Sequence, residues 1–224
     1  MKRQKLADRI LPLYTKGEEI FNMVSHIVGG AVGLTAVTLC VIFAALHHNV
    51  YGVVGSAIYG GSMVILYTMS SIYHGLKPEL MAKKVFQVID HCSIFLLIAG
   101  TYTPITLSAL RPDNPVLGWT IFGIIWGAAA LGITLNAIDI KAYKVFSAIC
   151  YIVMGWCIVF AWKPTVAALG TGGIVFLLTG GISYTIGALF YYFLKKKKYM
   201  HSVFHLFVVI GSILHFFAIL FYAI

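Results

Sequence analysis

Apolar residues fill long, almost unbroken stretches from residue 20 to residue 224, and polar residues gather in the short intervals between them. About 20 predominantly apolar residues carry a helix across the hydrocarbon core of a bilayer. The pattern predicts seven such helices, near 20–46, 51–75, 86–110, 116–137, 143–162, 170–194 and 201–224. It is weakest in the second, where Gly52, Gly55, Gly60 and Gly61 interrupt the run. Ahead of the first stretch, Leu6, Ile10, Leu13 and Tyr14 stand at helical spacing among basic residues, which predicts a short amphipathic segment on the membrane surface up to Pro12. The expectation is an all-α protein: a single seven-helix transmembrane domain over 1–224, with 1–18 as a cytoplasmic amphipathic N-terminal segment.

A cleavable signal peptide is the competing reading of the first stretch, because Lys2, Arg3 and Lys5 precede it. Glu18 and Glu19 directly before the run oppose that reading, as does a length beyond the roughly 7–15 apolar residues of a signal. Composition agrees with a membrane protein: 60% of residues are apolar and 10% charged, against about 45–50% and about 25% in soluble domains. The sequence has no long linker, low-complexity tract or internal repeat.

The net charge of +9 raises the possibility of nucleic acid as a partner, but the placement of the charge argues for topology instead. With seven spans, the arm with Lys2, Arg3, Lys5, Arg9 and Lys16 lies on one side. Lys77, Lys83, Lys84, Lys141, Lys144 and Lys195 to Lys198 lie there too, leaving Arg111 and Lys163 on the other. Cytoplasmic loops carry the excess of basic residues, so the N terminus is expected in the cytoplasm and the C terminus outside. The Lys195 to Lys198 run would anchor topology, or attract anionic headgroups. Membrane lipids, not nucleic acid, are the expected partners. Cys40, Cys92, Cys150 and Cys157 all fall inside spans with no paired loop spacing, so no disulfide framework is expected. Gly29 with Gly33, and Gly123 with Gly127, have the four-residue spacing that lets membrane helices approach closely.

Six of the seven acidic residues fall in loops or at span ends, and Asp90 alone lies within the start of an apolar stretch. An intramembrane carboxylate costs about 2.5–3.5 kcal/mol on insertion scales, so it normally faces the bundle interior and has a partner. Three polar motifs meet at this depth on the cytoplasmic side. The second span ends there with Ser70 to His74, the third begins with Asp90 and His91, and the seventh begins with His201 to His205.

His201 and His205, four residues apart, put both imidazoles on one helix face, the spacing by which one helix gives two ligands to a single ion. With His74 as the third ligand and water as the fourth, the set matches an open catalytic Zn²⁺ site. Such an ion lowers the pKa of its water to about 7. Asp90 is then placed to accept the proton or orient the water, or to ligate the metal directly. Ser70 is placed to hydrogen-bond the water or a developing oxyanion, or simply to bond its own helix backbone.

Other histidines stay outside the ligand set. His215 lies about 15 Å deeper along its helix at 1.5 Å per residue, which suits a buried hydrogen bond or the lining of a cavity. His26 is expected to make a helix-to-helix hydrogen bond, His91 to point about 100° away from Asp90 around the helix, and His47 and His48 to sit in the outer loop.

These motifs together resemble the hemolysin III family of bacterial membrane proteins. That family is related to the progestin and adipoQ receptors and to a wider group of membrane hydrolases that includes alkaline ceramidases. The resemblance spans Glu18 to His26, Ser70 to His74, Asp90 with Gly100 to Pro104, and His201 to His205 with His215. It implies Zn²⁺ ligands at His74, His201 and His205, with Asp90 and Ser70 beside the bound water. For function it implies hydrolysis of a lipid amide or ester bond, or a part in lipid homeostasis; cytolysis by pore formation; or receptor-like regulation around a structural zinc.

Overall fold

The computed structural model describes residues 6–194 and 197–224, so Lys2, Arg3, Lys5, Lys195 and Lys196 lie outside the described residues. The described chain is helical, with no strand among those residues. Its helices are α1 (Lys16–Leu46), α2 (Val50–Gly75), α3 (Met81–Pro104), α4 (Pro115–Trp156), α5 (Trp162–Leu194) and α6 (Met200–Tyr222). Past Pro104, α3 continues as a π-helical segment, Ile105–Leu110, and a short 3₁₀ segment, Cys157–Ala161, joins α4 to α5. Five helical runs are long and apolar enough to cross a membrane, because α4 and α5 form one run of 80 residues. This is a multi-pass membrane protein of the cell membrane.

The 80-residue run is not straight. Asp139 adopts an extended conformation (φ −162°, ψ 97°), and its Oδ1 accepts from the backbone N–H groups of Lys141 and Ala142 at 3.0 and 3.2 Å. The carboxylate thereby caps the helix that resumes after it. Gly170 makes the second break with φ 62°, a left-handed conformation that a side chain would disfavour. The first break falls in the interval between two apolar stretches, and the second at the first residue of the sixth.

Neighbouring helices in sequence pack together from α1 to α4, α5 packs on α6, and α6 returns to α1. Two glycines set the closeness of α1 and α2. A Cβ on Gly29 would come within 2.5 Å of the Tyr67 ring, and one on Gly60 would meet the Val37 backbone. Tyr67, fitted against Gly29, reaches across to α6 and donates to Ser212 Oγ at 2.7 Å. Gly33 likewise abuts Met63 and Val64. Gly123 and Gly127 behave differently from the close packing expected of them: nothing lies within 4 Å of a Cβ on either. They occupy the outward face of α4, while Ile121, Ile125 and Ala129 take the inward one.

At its N-terminal end, α1 opens with a capping box. Thr15 Oγ1 accepts from the Glu18 N–H, and Glu18 Oε2 accepts from the Thr15 N–H at 2.8 Å. The other oxygen, Glu18 Oε1, accepts from the Tyr199 N–H at 2.7 Å, so one carboxylate ties the start of α1 to the start of α6. Residues 6–15 form no helix despite the spacing of their apolar residues. Ile10 and Leu13 are 88% and 97% exposed, while Arg9 is buried and Tyr14 folds back over α6.

Gly29→Ala should lower the melting temperature of the detergent-solubilised protein by several degrees, since overpacking a core costs about 1–3 kcal/mol. Gly123→Ala, measured beside it, should leave the transition where it is.

Candidate metal centre

The clamp made by Glu18 ties the start of α6 to α1, and three histidines meet close by. His74 comes from the last turn of α2, and His201 and His205 from the first two turns of α6. His201 Nε2 lies 3.4 Å from His74 Nε2 and 3.2 Å from His205 Nε2. Each residue offers a ligand atom, and the three atoms lie within 4.8 Å of one another.

Two nitrogens bound at about 2.0–2.1 Å to one tetrahedral ion stand about 3.3 Å apart, which is the spacing found here. A proton on His201 Nε2 can serve only one of its two neighbours, so a nitrogen lone pair would still face another without a cation between them. The donor set and its spacing fit a divalent metal ion.

Support around His74 is built from residues that hydropathy marked only as flanking charges. His74 Nδ1 is 2.6 Å from Glu19 Oε2, which makes Nδ1–H the donor and leaves Nε2 with its lone pair toward the cluster. The other oxygen of Glu19 accepts from Lys83 Nζ at 2.7 Å, and Lys83 also donates to the Leu76 carbonyl at 2.9 Å. Lys83 is only 1% exposed, so its charge is enclosed with its partner. Both Glu19 and Lys83 were legible in the sequence as charges beside apolar runs. Nothing in their spacing announced that they face each other.

Two further residues close around the cluster. Tyr14 stacks on His201, ring centroids 5.0 Å apart and planes 12° apart. Burial, then Tyr73 and Tyr191, push its phenol well above the ordinary tyrosine pKa, which keeps it protonated. His26 stacks on His205 at 3.7 Å and 16°. The expected helix-to-helix hydrogen bond of His26 is absent: both ring nitrogens are buried without a partner, because the ring packs by its face against His205.

A cavity of about 540 Å³ opens from this cluster and is lined by His201, His205, His26, Ser70 and Asp90. Ser70 Oγ is buried and bonds to nothing, which removes the reading in which it satisfies its own helix backbone. Its neighbour Ser71 does make that bond, to the Tyr67 carbonyl at 2.7 Å. Asp90 lies 3.6 Å from His91 Nδ1, whose closer contact is the Gln87 carbonyl at 2.8 Å. At the deep end of the cavity, His215 bonds to the Leu177 carbonyl at 3.0 Å and lines the wall, as expected of it. Cys92 is half-buried and directs its thiol to the Ile133 carbonyl, away from the cluster, and all four cysteines are free.

Residues 14–216 match the profile of a family described as haemolysin-III related. The chain is 40% identical over 207 residues to Hemolysin-3 of Bacillus cereus, covering 92% of each protein. It is 37% identical over 212 residues to the Hemolysin-3 homolog of Bacillus subtilis (strain 168), covering 95% of this chain and 97% of that one. A more distant relative is the monocyte to macrophage differentiation factor of Homo sapiens, 29% identical over 168 residues, 72% of this chain and 67% of that protein.

Glu19→Gln should weaken divalent metal binding by about 10- to 100-fold, the usual cost of losing the group that orients a histidine ligand. Competition against a chelator of known affinity measures it.

Proposed function

The chain belongs to the haemolysin-III related family, and from that premise we propose that it is a zinc-dependent membrane hydrolase that cleaves an amide or ester bond of a lipid. The observation that carries this reading is the cluster of three imidazoles, with His201 Nε2 at 3.4 and 3.2 Å from the other two, beside a cavity lined by His201, His205, an unpartnered hydroxyl and a carboxylate. His74, His201 and His205 would hold the ion, three protein nitrogens being the set that leaves a catalytic zinc one open position. When bound there, Zn²⁺ supplies Lewis acidity, which lowers the pKa of water to about 7 and polarises a carbonyl.

The protein's own residues do the rest. Asp90 takes the proton from the attacking water and returns it to the leaving amine or alcohol as the carbonyl carbon loses that group. Ser70 Oγ, with no other partner, donates to the oxygen that gains charge. His26 packs flat on His205 and holds its ring in place. The apolar length of the cavity, from His205 to His215, covers about 15 Å along α6 and suits an acyl chain.

The same proposal includes a topology of seven spans. A continuous 80-residue helix would be about 120 Å long, four times the hydrocarbon thickness. The breaks at Asp139 and Gly170 divide it into 115–138, 140–169 and 171–194, each able to span. Seven spans result, with the basic loops and the histidine cluster on the cytoplasmic side and the C terminus outside.

Cytolysis is what the names of the Bacillus relatives state of those proteins, and it is the second reading. One preparation separates the two. Zinc-loaded protein given a broad panel of membrane lipids should release a free fatty acid from at least one. Asp90→Ala or Ser70→Ala should lower that turnover by at least 100-fold with the metal retained. Dye release from liposomes that survives both substitutions, with no lipid product, would contradict the hydrolase and favour the cytolysin.

A further inference from the structure

The mouth of the cavity carries a second group of residues that hydrolysis does not use. Arg9, in the irregular segment before α1, is only 8% exposed, and its Nε and Nη1 are buried without a hydrogen-bond partner. A buried guanidinium normally engages a carboxylate or phosphate with its planar fork, so leaving two of its nitrogens unbonded is costly. Arg9 lines the cavity, and so do Lys141 and Lys144 from the stretch of α4 that follows the break at Asp139. Three cationic side chains, from two distant parts of the sequence, therefore line one cavity.

Two carboxylates lie nearby, and Asp139 is within electrostatic reach of Arg9. Asp139 caps the helix that carries both lysines through the Lys141 and Ala142 N–H groups. Asp90, the acidic residue on the cavity wall, has His91 at 3.6 Å. Burial lowers the affinity of Arg9 for its proton, and the Asp139 carboxylate opposes this.

We infer that the cavity mouth binds a phosphate-bearing anion, gripped by Arg9 with Lys141 and Lys144, and that the amphiphile entering the cavity is a phospholipid rather than a neutral lipid. The lipid part of this assignment rests on the hydrolase reading; the anion site does not. Geometry favours a headgroup. Arg9 is five residues before Tyr14, which stacks on His201, so the two backbones are separated by at most about 17 Å. A headgroup held at Arg9 would leave its acyl chains to enter the apolar cavity past the histidine cluster. Topology alone does not account for Arg9, since a basic residue that only marks the cytoplasmic side would keep its charge in water.

The test is displacement of a fluorescent phosphatidylglycerol from the purified full-length protein in maltoside micelles. The competitors are unlabelled phosphatidylglycerol, a diacylglycerol with the same chains, and inorganic phosphate. Phosphatidylglycerol should compete at least 10-fold better than the diacylglycerol. Arg9→Gln, and Lys141→Gln with Lys144→Gln, should each remove most of that preference, while Arg9→Lys keeps part of it. Melting temperature and metal content, measured on every variant, should match the parent.

Equal competition by the two lipids overturns the inference. So does an equal loss in Lys163→Gln, which would reveal a bulk charge effect. Inorganic phosphate competing as well as the lipid would assign the site to free phosphate and overturn the phospholipid assignment. A His201→Ala variant that loses metal and turnover but keeps the preference would support the anion site independently of the hydrolase. A parent that hydrolyses lipids with no headgroup preference would sink the anion site alone.

Discussion

Three imidazoles gathered inside a membrane bundle form an arrangement that a cation would stabilise, and much of this end of the protein is organised to hold it. Each lone pair repels the next, and the apolar surroundings give no water to screen them. The spacing of 3.2 and 3.4 Å between the Nε2 atoms is maintained by contacts outside the cluster. Glu18 joins the first turns of α1 and α6. Glu19 fixes the tautomer of His74 and is itself balanced by the enclosed Lys83. Ser202, one residue after His201, donates to Asn22 Oδ1 at 2.6 Å and sets the rotation of α6 against α1. The residues that hold the cluster therefore come from α1, α2, α3 and α6 together, so the centre can form only after those helices have assembled.

The same packing that closes the cluster on one side leaves a cavity on the other. Gly29 admits the Tyr67 ring between α1 and α6, and Tyr67 with Tyr184 satisfies Ser212 deep in the bundle. Below the cluster the lining is largely apolar, with His215 at its end already engaged by a backbone carbonyl. Above it, residues 6–15 bring Tyr14 onto His201 and Arg9 into the mouth. Basic residues, a polar centre and an apolar depth thus follow one another along the cavity.

The sequence disclosed the helices because the bilayer makes one demand, sustained apolar length, that hydropathy measures directly. It singled out His74, His201 and His205, which the fold brings together, and Ser70 and Asp90, which line the cavity beside them, because a polar group in an apolar run needs a reason and because the i to i+4 pair shares a helix face. It hid Glu19 and Lys83, whose charges flank spans just as topology determinants do and whose pairing joins residues 64 positions apart. It hid the role of His26, since stacking on His205 leaves no spacing signature. The apolar spacing of residues 6–15 did not produce a helix: Arg9 and Tyr14 turn inward while Ile10 and Leu13 stay exposed. The glycine pair at Gly123 and Gly127 misled as well: small residues permit close approach without requiring it, and that face of α4 has no neighbour.

The claim on which all the chemistry rests is that these imidazoles share one ion, and X-ray absorption at the zinc edge of protein purified without added metal tests it most directly. The account predicts about one zinc per chain, a shell of three imidazole nitrogens and one further light atom near 2.0–2.1 Å, and loss of the metal from a His201→Ala, His205→Ala double variant. Sulfur scatterers, a six-oxygen shell, or zinc retained by the double variant would contradict it.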